Sequence, residues 1–156
     1  MLFFFSCNNS TTNTTADDKT ATNDSTLVPK TIRDIEPGLW KADSLQILYY
    51  DNPDGDSLRY TRYFTFIETA DSVKVAALLN ELDQVFVQYY KPKGCRSEGK
   101  LFLLNKEDVV KTVYFATRSD TCSYLYFIKD GSFIYFPLSD NAKKLLIKNK
   151  TLARKP

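Results

Sequence analysis

The sequence predicts an α+β fold: a mainly antiparallel sheet of about six or seven strands, with one internal covering helix and one C-terminal helix. Three observations carry this. Short apolar runs rich in Tyr, Phe, Val, Ile and Leu recur between turn residues, one internal segment switches to a helical period, and a capped, lysine-rich segment ends the chain. Strands interrupted by one helix and closed by another do not make the βαβ alternation of a doubly wound parallel sheet.

Each element has its own local reason. The first strand covers 44–50 and ends in the polar turn of Asp51, Asn52, Pro53, Asp54, Gly55 and Asp56, where Asp54 and Gly55 form a strong hairpin signal. The second covers 58–67, with Leu58, Tyr60, Phe64 and Phe66 on its apolar face and Arg59, Thr61, Tyr63 and Thr65 on the other. Arg62 interrupts the apolar side and is placed to snorkel from a sheet edge. Val75, Leu78, Leu79 and Leu82 then fall at i, i+3, i+4 and i+7, which predicts a helix over 71–83 lying on the sheet. Asp71 or Thr69 caps it, and Glu81 and Asp83 are expected to face water.

Extended structure returns at 85–90 and stops at Pro92, Lys93 and Gly94. The next two strands, 101–104 and 109–117, flank the charged turn of Asn105, Lys106, Glu107 and Asp108. Segments 123–129 and 132–136 form the clearest hairpin, joined by Asp130 and Gly131. Pro137 stops the last strand, and Ser139 caps a terminal helix with Ala142, Leu145 and Leu146 on one face and Lys143, Lys144 and Lys148 on the other.

Composition narrows the function. The chain has 156 residues, 43% hydrophobic and 14% aromatic, which leaves no room for two full-sized domains. It contains no histidine, and this removes Ser-His-Asp, Cys-His and His-ligated metal chemistry. The formal net charge is +2, and residues 28–156 hold 20 basic against 16 acidic side chains. That surplus is small and no RNP-like or Gly-rich phosphate motif accompanies it, so nucleic acid is not an expected partner. Asp51, Asp54 and Asp56 lack the glycine position and terminal Glu of an EF-hand loop and read as a solvated turn. No metal or other cofactor is expected.

The N-terminus differs sharply from the rest. Residues 1–5 are apolar, and 8–26 contain no aromatic and no branched aliphatic residue, so 8–27 reads as a disordered tether before a single domain at 28–156. No stretch approaches the roughly 20 apolar residues of a transmembrane helix. Phe4, Phe5, Ser6 and Cys7, followed by this Ser/Thr/Asn-rich run, resemble the end of a bacterial lipoprotein signal peptide, with Phe4 where an aliphatic residue is commoner. The resemblance covers about a dozen residues at 1–7 and the start of the tether. It implies lipidation at Cys7, contact with a membrane through a lipid anchor, and a place in the bacterial cell envelope facing the periplasm or exterior. A cytoplasmic location is the alternative.

Cys95 and Cys122 lie 27 residues apart in the folded part, one after the Lys93-Gly94 turn and one opening a strand. A disulfide between them is expected in an oxidising compartment, and two thiols in a reducing one. There is no Cys-x-x-Cys pair for redox or zinc chemistry.

Two candidate contact surfaces follow. The polar loop 91–100 carries four basic residues, and Lys93, Arg96 and Glu98 are its expected recognition residues, able to meet an anion or carboxylate. The second is aromatic. The chain has ten tyrosines and eleven phenylalanines, and several fall side by side in strands: Tyr49 with Tyr50, Tyr63 with Phe64, Tyr89 with Tyr90, Tyr114 with Phe115, and the run Tyr124, Leu125, Tyr126 and Phe127. One member of each pair enters the core, so the other meets a helix, a second layer or solvent. Exposed tyrosines on a rigid sheet suit a protein, peptide or glycan partner. The six basic residues between Lys143 and Lys155 could also rest against anionic headgroups.

The expected function is therefore a lipid-anchored extracytoplasmic binding or structural protein that is not catalytic. The alternatives are a small carboxylate-dependent envelope enzyme acting on a glycan, or a soluble accessory protein. For the enzyme, Glu68, Glu81, Glu98 and Asp120 are the carboxylates available, and spacing brings no two of them together.

Overall fold

A computed structural model of the chain describes residues 30–55, 63–85 and 90–156. The expected lipidation site Cys7, the tether 8–27, Asp56, residues 58–62 of the second strand and residues 86–89 of the extended segment lie outside the described residues.

Six strands form one sheet in which every neighbouring pair is antiparallel: β1 Ser44–Tyr50, β2 Phe64–Thr69, β3 Gly99–Asn105, β4 Asp108–Thr117, β5 Ser123–Lys129 and β6 Ser132–Pro137. Their spatial order is β2-β1-β3-β4-β5-β6. The chain makes β1 and β2, crosses through helix α2, Ser72–Leu82, to the other side of β1, and runs as a meander from β3 to β6. Helix α3, Asp140–Lys150, then returns beside α2. This is the α+β architecture the sequence predicts.

Pleating sorts the side chains. Leu45, Ile47 and Tyr49 of β1 are in register with Leu103, Leu101 and Gly99 of β3, and these in turn with Lys111, Val113 and Phe115 of β4. Leu125 and Phe127 of β5 and Phe136 of β6 continue the same face. It is closed by Val75, Leu78, Leu79 and Leu82 of α2 and by Ala142 and Leu146 of α3, all buried. Burying each large apolar side chain contributes about 1.5–3 kcal/mol, so this face is the principal source of stability. The Tyr49 hydroxyl donates to the Leu146 carbonyl at 2.7 Å, which fixes α3 across β1, and burial pushes that phenol's pKa upward.

The caps are as the residue types dictate. Asp71 accepts from the Val73 and Lys74 backbone N–H groups at the start of α2, and these bonds hold its carboxyl below the ordinary range. Ser139 accepts from the Ala142 backbone N–H to open α3. Glu81, expected in water, instead accepts from Ser139 Oγ at 2.9 Å and so joins the two helices. Asp83 likewise pairs with Arg33 at 3.0 Å.

Two turns close with positive φ at both central residues, the backbone that the right-handed strand twist requires. Asp130 and Gly131 join β5 to β6 with φ of 50° and 74°, as their sequence signals. Lys106 and Glu107 join β3 to β4 with φ of 50° and 73°, although neither residue type favours that region. The Asp43 carboxylate holds this turn by accepting from the Lys106 backbone N–H at 2.9 Å.

One expectation is overturned, the inward face of β2, and two features lie outside the predicted elements. Helix α1, Ile32–Ile35, with a capping box between Thr31 and Asp34, and a 3-10 helix, Pro37–Lys41, precede β1. They bury Ile32 and Leu39 completely, in a region with no predicted element. On β2 the apolar side is reversed: Thr65, Ile67 and Thr69 oppose Tyr49, Ile47 and Leu45 on the helix-covered face, and Phe64 and Phe66 lie on the other. The outer side of β2 is bridged at one residue, since Phe66 and Arg154 exchange backbone hydrogen bonds of 2.8 and 2.9 Å.

Candidate functional site

Both helices lie on one face of the sheet, and the opposite face carries the aromatics. Alternation along the register places Phe64 and Phe66 of β2, Leu48 and Tyr50 of β1, Lys100 and Phe102 of β3, and Tyr114 of β4 on that opposite face. The β5-β6 hairpin adds Tyr124, Tyr126 and Ile128, then Tyr135 and Phe133. Three of the five aromatic doublets are split as pleating requires, whereas neither Tyr63 nor Phe64 joins the core and Tyr89 lies outside the described residues. Tyr49, Phe115 and Phe127 enter the core, while Tyr50, Tyr114 and Tyr126 face away from it.

Burial on the aromatic face is uneven: Leu48, Tyr50 and Tyr124 are buried, Phe66, Tyr114, Tyr126 and Tyr135 are half-buried, and Ile128 and Phe133 are exposed. Cys95 and Cys122 sit at disulfide distance, with Cα atoms 5.6 Å apart, and Cys95 packs over Ala116 and Tyr124. This buries Tyr124 fully and lays the segment before β3 along the sheet. Beyond it the rings become progressively accessible, until Phe133 is 58% and Ile128 44% exposed.

The rings form a connected stack. Tyr114 and Tyr126 lie 4.7 Å apart with planes 8° from parallel, and Tyr126 and Tyr135 lie 4.9 Å apart. Phe133 touches the end of this row, 5.8 Å from Tyr126 and 6.2 Å from Tyr135. Desolvation pushes the Tyr126 phenol up to about 12, with smaller upward contributions from Tyr114, Tyr135 and Tyr124, against a hydrogen bond from Ser97. Tyr135 is raised for the same first reason. These tyrosines are therefore neutral at ordinary pH and act as hydrogen-bonding, apolar groups with no nucleophilic phenolate.

Stacking decides what the face can hold. The parallel rings of Tyr114 and Tyr126 cover each other's π-faces, while Tyr135 and Phe133 are tilted against Tyr126 and Phe133 is exposed at the end of the row. Protein or peptide side chains pack well on such a ridge, because it is large, amphipathic and already ordered. Cations border it: Lys100 lies over the Phe102 ring at 4.6 Å and Arg154 over Phe66 at 5.1 Å.

Of the three expected recognition residues, Lys93 and Arg96 are exposed, and Glu98 is not. Arg96 reaches the Gly55 carbonyl with its guanidinium. Glu98 is only 9% exposed and accepts from the Thr117 backbone N–H and from Thr117 Oγ1 at 2.7 Å. Arg118 stands 3.6 Å away and also pairs with Asp54. Glu98 thus anchors the loop from beneath and, being buried, presents no exposed carboxylate there. Since Cys95 packs on Tyr124, whose ring lies 6.3 Å from Tyr126, the loop bearing Lys93 and Arg96 borders the aromatic row.

The carboxylates considered for catalysis are spread over the molecule. Glu68 accepts from Gln46 on β1, Glu81 holds Ser139, Glu98 holds Thr117, and Asp120 pairs with Lys143 at 3.2 Å. Among the described residues no group of three or more Cys, Asp or Glu side chains has the arrangement to hold a metal ion. No family model matches this chain, and neither a curated protein nor a solved structure is significantly similar to it.

Proposed function

We propose that the chain is a tethered envelope protein whose folded domain binds a protein or peptide partner through the open aromatic face of its sheet. The observation that carries the reading is the row Tyr114, Tyr126, Tyr135 and Phe133, ordered by mutual stacking and ending at a 58% exposed phenylalanine. Ordered rings lose little entropy on contact, and large aromatic anchors dominate binding energy where they cluster. The adjoining edge strand supports it. β6 carries no charged residue, and among the described residues no backbone hydrogen bond reaches its outer side. Uncharged edges accept an added strand.

Photo-crosslinking in the cells that make the protein tests the binding face. A photoreactive phenylalanine at Phe133 is expected to give one discrete protein adduct that Tyr126→Ala removes, and the same probe at Lys144 on α3 to give none. Equal adducts from both positions, or none from Phe133, would sink the proposal.

The tether and the Cys7 junction support attachment to a membrane, and a Cys95–Cys122 disulfide fits the oxidising compartment such attachment implies. Expressed from its native gene in a bacterial host, the protein is expected to show a diacylglyceryl or triacyl adduct by intact mass. Cys7→Ser is expected to lack it. An unmodified wild-type chain would remove the anchor from the proposal.

A further inference from the structure

We propose a second binding site, on the opposite side of the sheet, for an amphiphile with a single anionic head, of the fatty-acid class. Between α2, α3 and the β2 edge lies a cleft of about 320 Å³, a volume at the small-molecule end of the scale for ligand pockets. Its floor is Leu45 and Ile47 of β1 with Ile67 of β2, and its walls are Leu78 of α2 and Leu145 of α3. Ile67 sits on an edge strand and Leu145 on a helix flank, so both stay half-buried, and apolar surface that the helices do not close over is left facing the cleft.

Charge at the mouth selects the head group. Lys74 from the first turn of α2 and Lys148 from near the end of α3 both border the cleft. Lys74 is shared with Asp71 at 3.3 Å, whereas Lys148 makes no ion pair among the described residues. The one acidic lining residue, Glu68, is already engaged by Gln46 and by Arg154 at 3.9 Å. A carboxylate therefore finds cations supplied by both helices, and its hydrocarbon tail finds the apolar floor. Neutral polar ligands are matched poorly, because the uncharged polar lining is limited to Thr69 and Asn149. The site stands independently of the aromatic face, from which it is separated by the sheet.

The test uses the full 156-residue chain and carboxyl-labelled dodecanoate below its micelle concentration, followed by NMR. Saturable one-to-one binding is expected, with nuclear Overhauser contacts from the ligand methylenes to the Leu78 and Ile67 methyls. Lys148→Glu, a substitution at an exposed position, should weaken it about tenfold by turning attraction into repulsion. Dodecan-1-ol should bind at least as weakly as that variant binds the acid. Ala77→Trp, which fills the cleft from α2, should abolish binding. No saturable binding, contacts that fall on Tyr126 or Phe133 instead, or wild-type affinity in Lys148→Glu, would each overturn the proposal.

Discussion

Gly99→Ala is expected to destabilise the protein by about 3 kcal/mol, the upper range for overpacking, and to lower its melting temperature by roughly 10 °C. A Cβ on Gly99 would stand 2.1 Å from the Leu48 carbonyl oxygen and 2.5 Å from Cζ of Phe115. The first is backbone in a paired central strand, and the second is a ring that is 1% exposed and packed edge-on against Tyr49 at 5.5 Å. Neither can yield without moving β1 from β3. Gly94→Ala is the control: Gly94 has φ of 75° with nothing within 4 Å of the added carbon, so it bears only the left-handed backbone cost of about 1–2 kcal/mol. Thermal and urea denaturation of the two variants separate collision from conformation. A Gly99→Ala shift no larger than that of Gly94→Ala would mean that β1 and β3 do not approach as closely as described.

That close approach was invisible in the sequence, and the reason is general to what was and was not legible. Periodicity and turn chemistry depend on residues a few positions apart, so β1, α2, the β3-to-β6 meander and α3 could be read directly. Contacts between distant segments leave no such trace. Gly99 meets Leu48 across β1, and Glu98 is buried by Thr117, 19 residues on, so a glutamate in a polar loop read as exposed. Helix α1 is too short to show a period, although Thr31 with Asp34 and then Pro37 were the capping signals available. For β2, alternation was visible but its inward face was not. Phe64 and Phe66 are the more apolar set, yet the register with β1 points Thr65, Ile67 and Thr69 at the helices. Neither face of this edge strand is fully buried, so hydrophobicity does not fix its orientation there. The aromatic surface was half legible: doublets such as Tyr114 with Phe115 announce one inward and one outward ring, while which outward rings are buried, as Tyr50 and Tyr124 are, and which are exposed, as Phe133 is, follows only from the packing of distant segments.

Replacing both Cys95 and Cys122 with alanine is expected to cost about 3–4 kcal/mol, the chain-entropy value for a cross-link closing a loop of this length. With a urea slope of about 2 kcal/mol/M, the unfolding midpoint should fall by roughly 1.5–2 M. The loss should also be local. Cys95 is 3% exposed over Ala116 and Tyr124, and its segment buries Ser97 and carries Glu98 to Thr117. Without the cross-link this segment has fewer ties to β4 and β5, so amide exchange at Ser97 and Glu98 should accelerate more than at Leu101 or Val113 in the central strands. Intact mass before and after reduction supplies the chemical half of the measurement, since a formed disulfide gains two hydrogens. A chain that gains none and unfolds at the same midpoint with and without reductant would leave Cys95 and Cys122 as free thiols. The argument for an oxidising compartment would fall with that result, while the aromatic row, held by Tyr114, Tyr126 and Tyr135 on three paired strands, would stand.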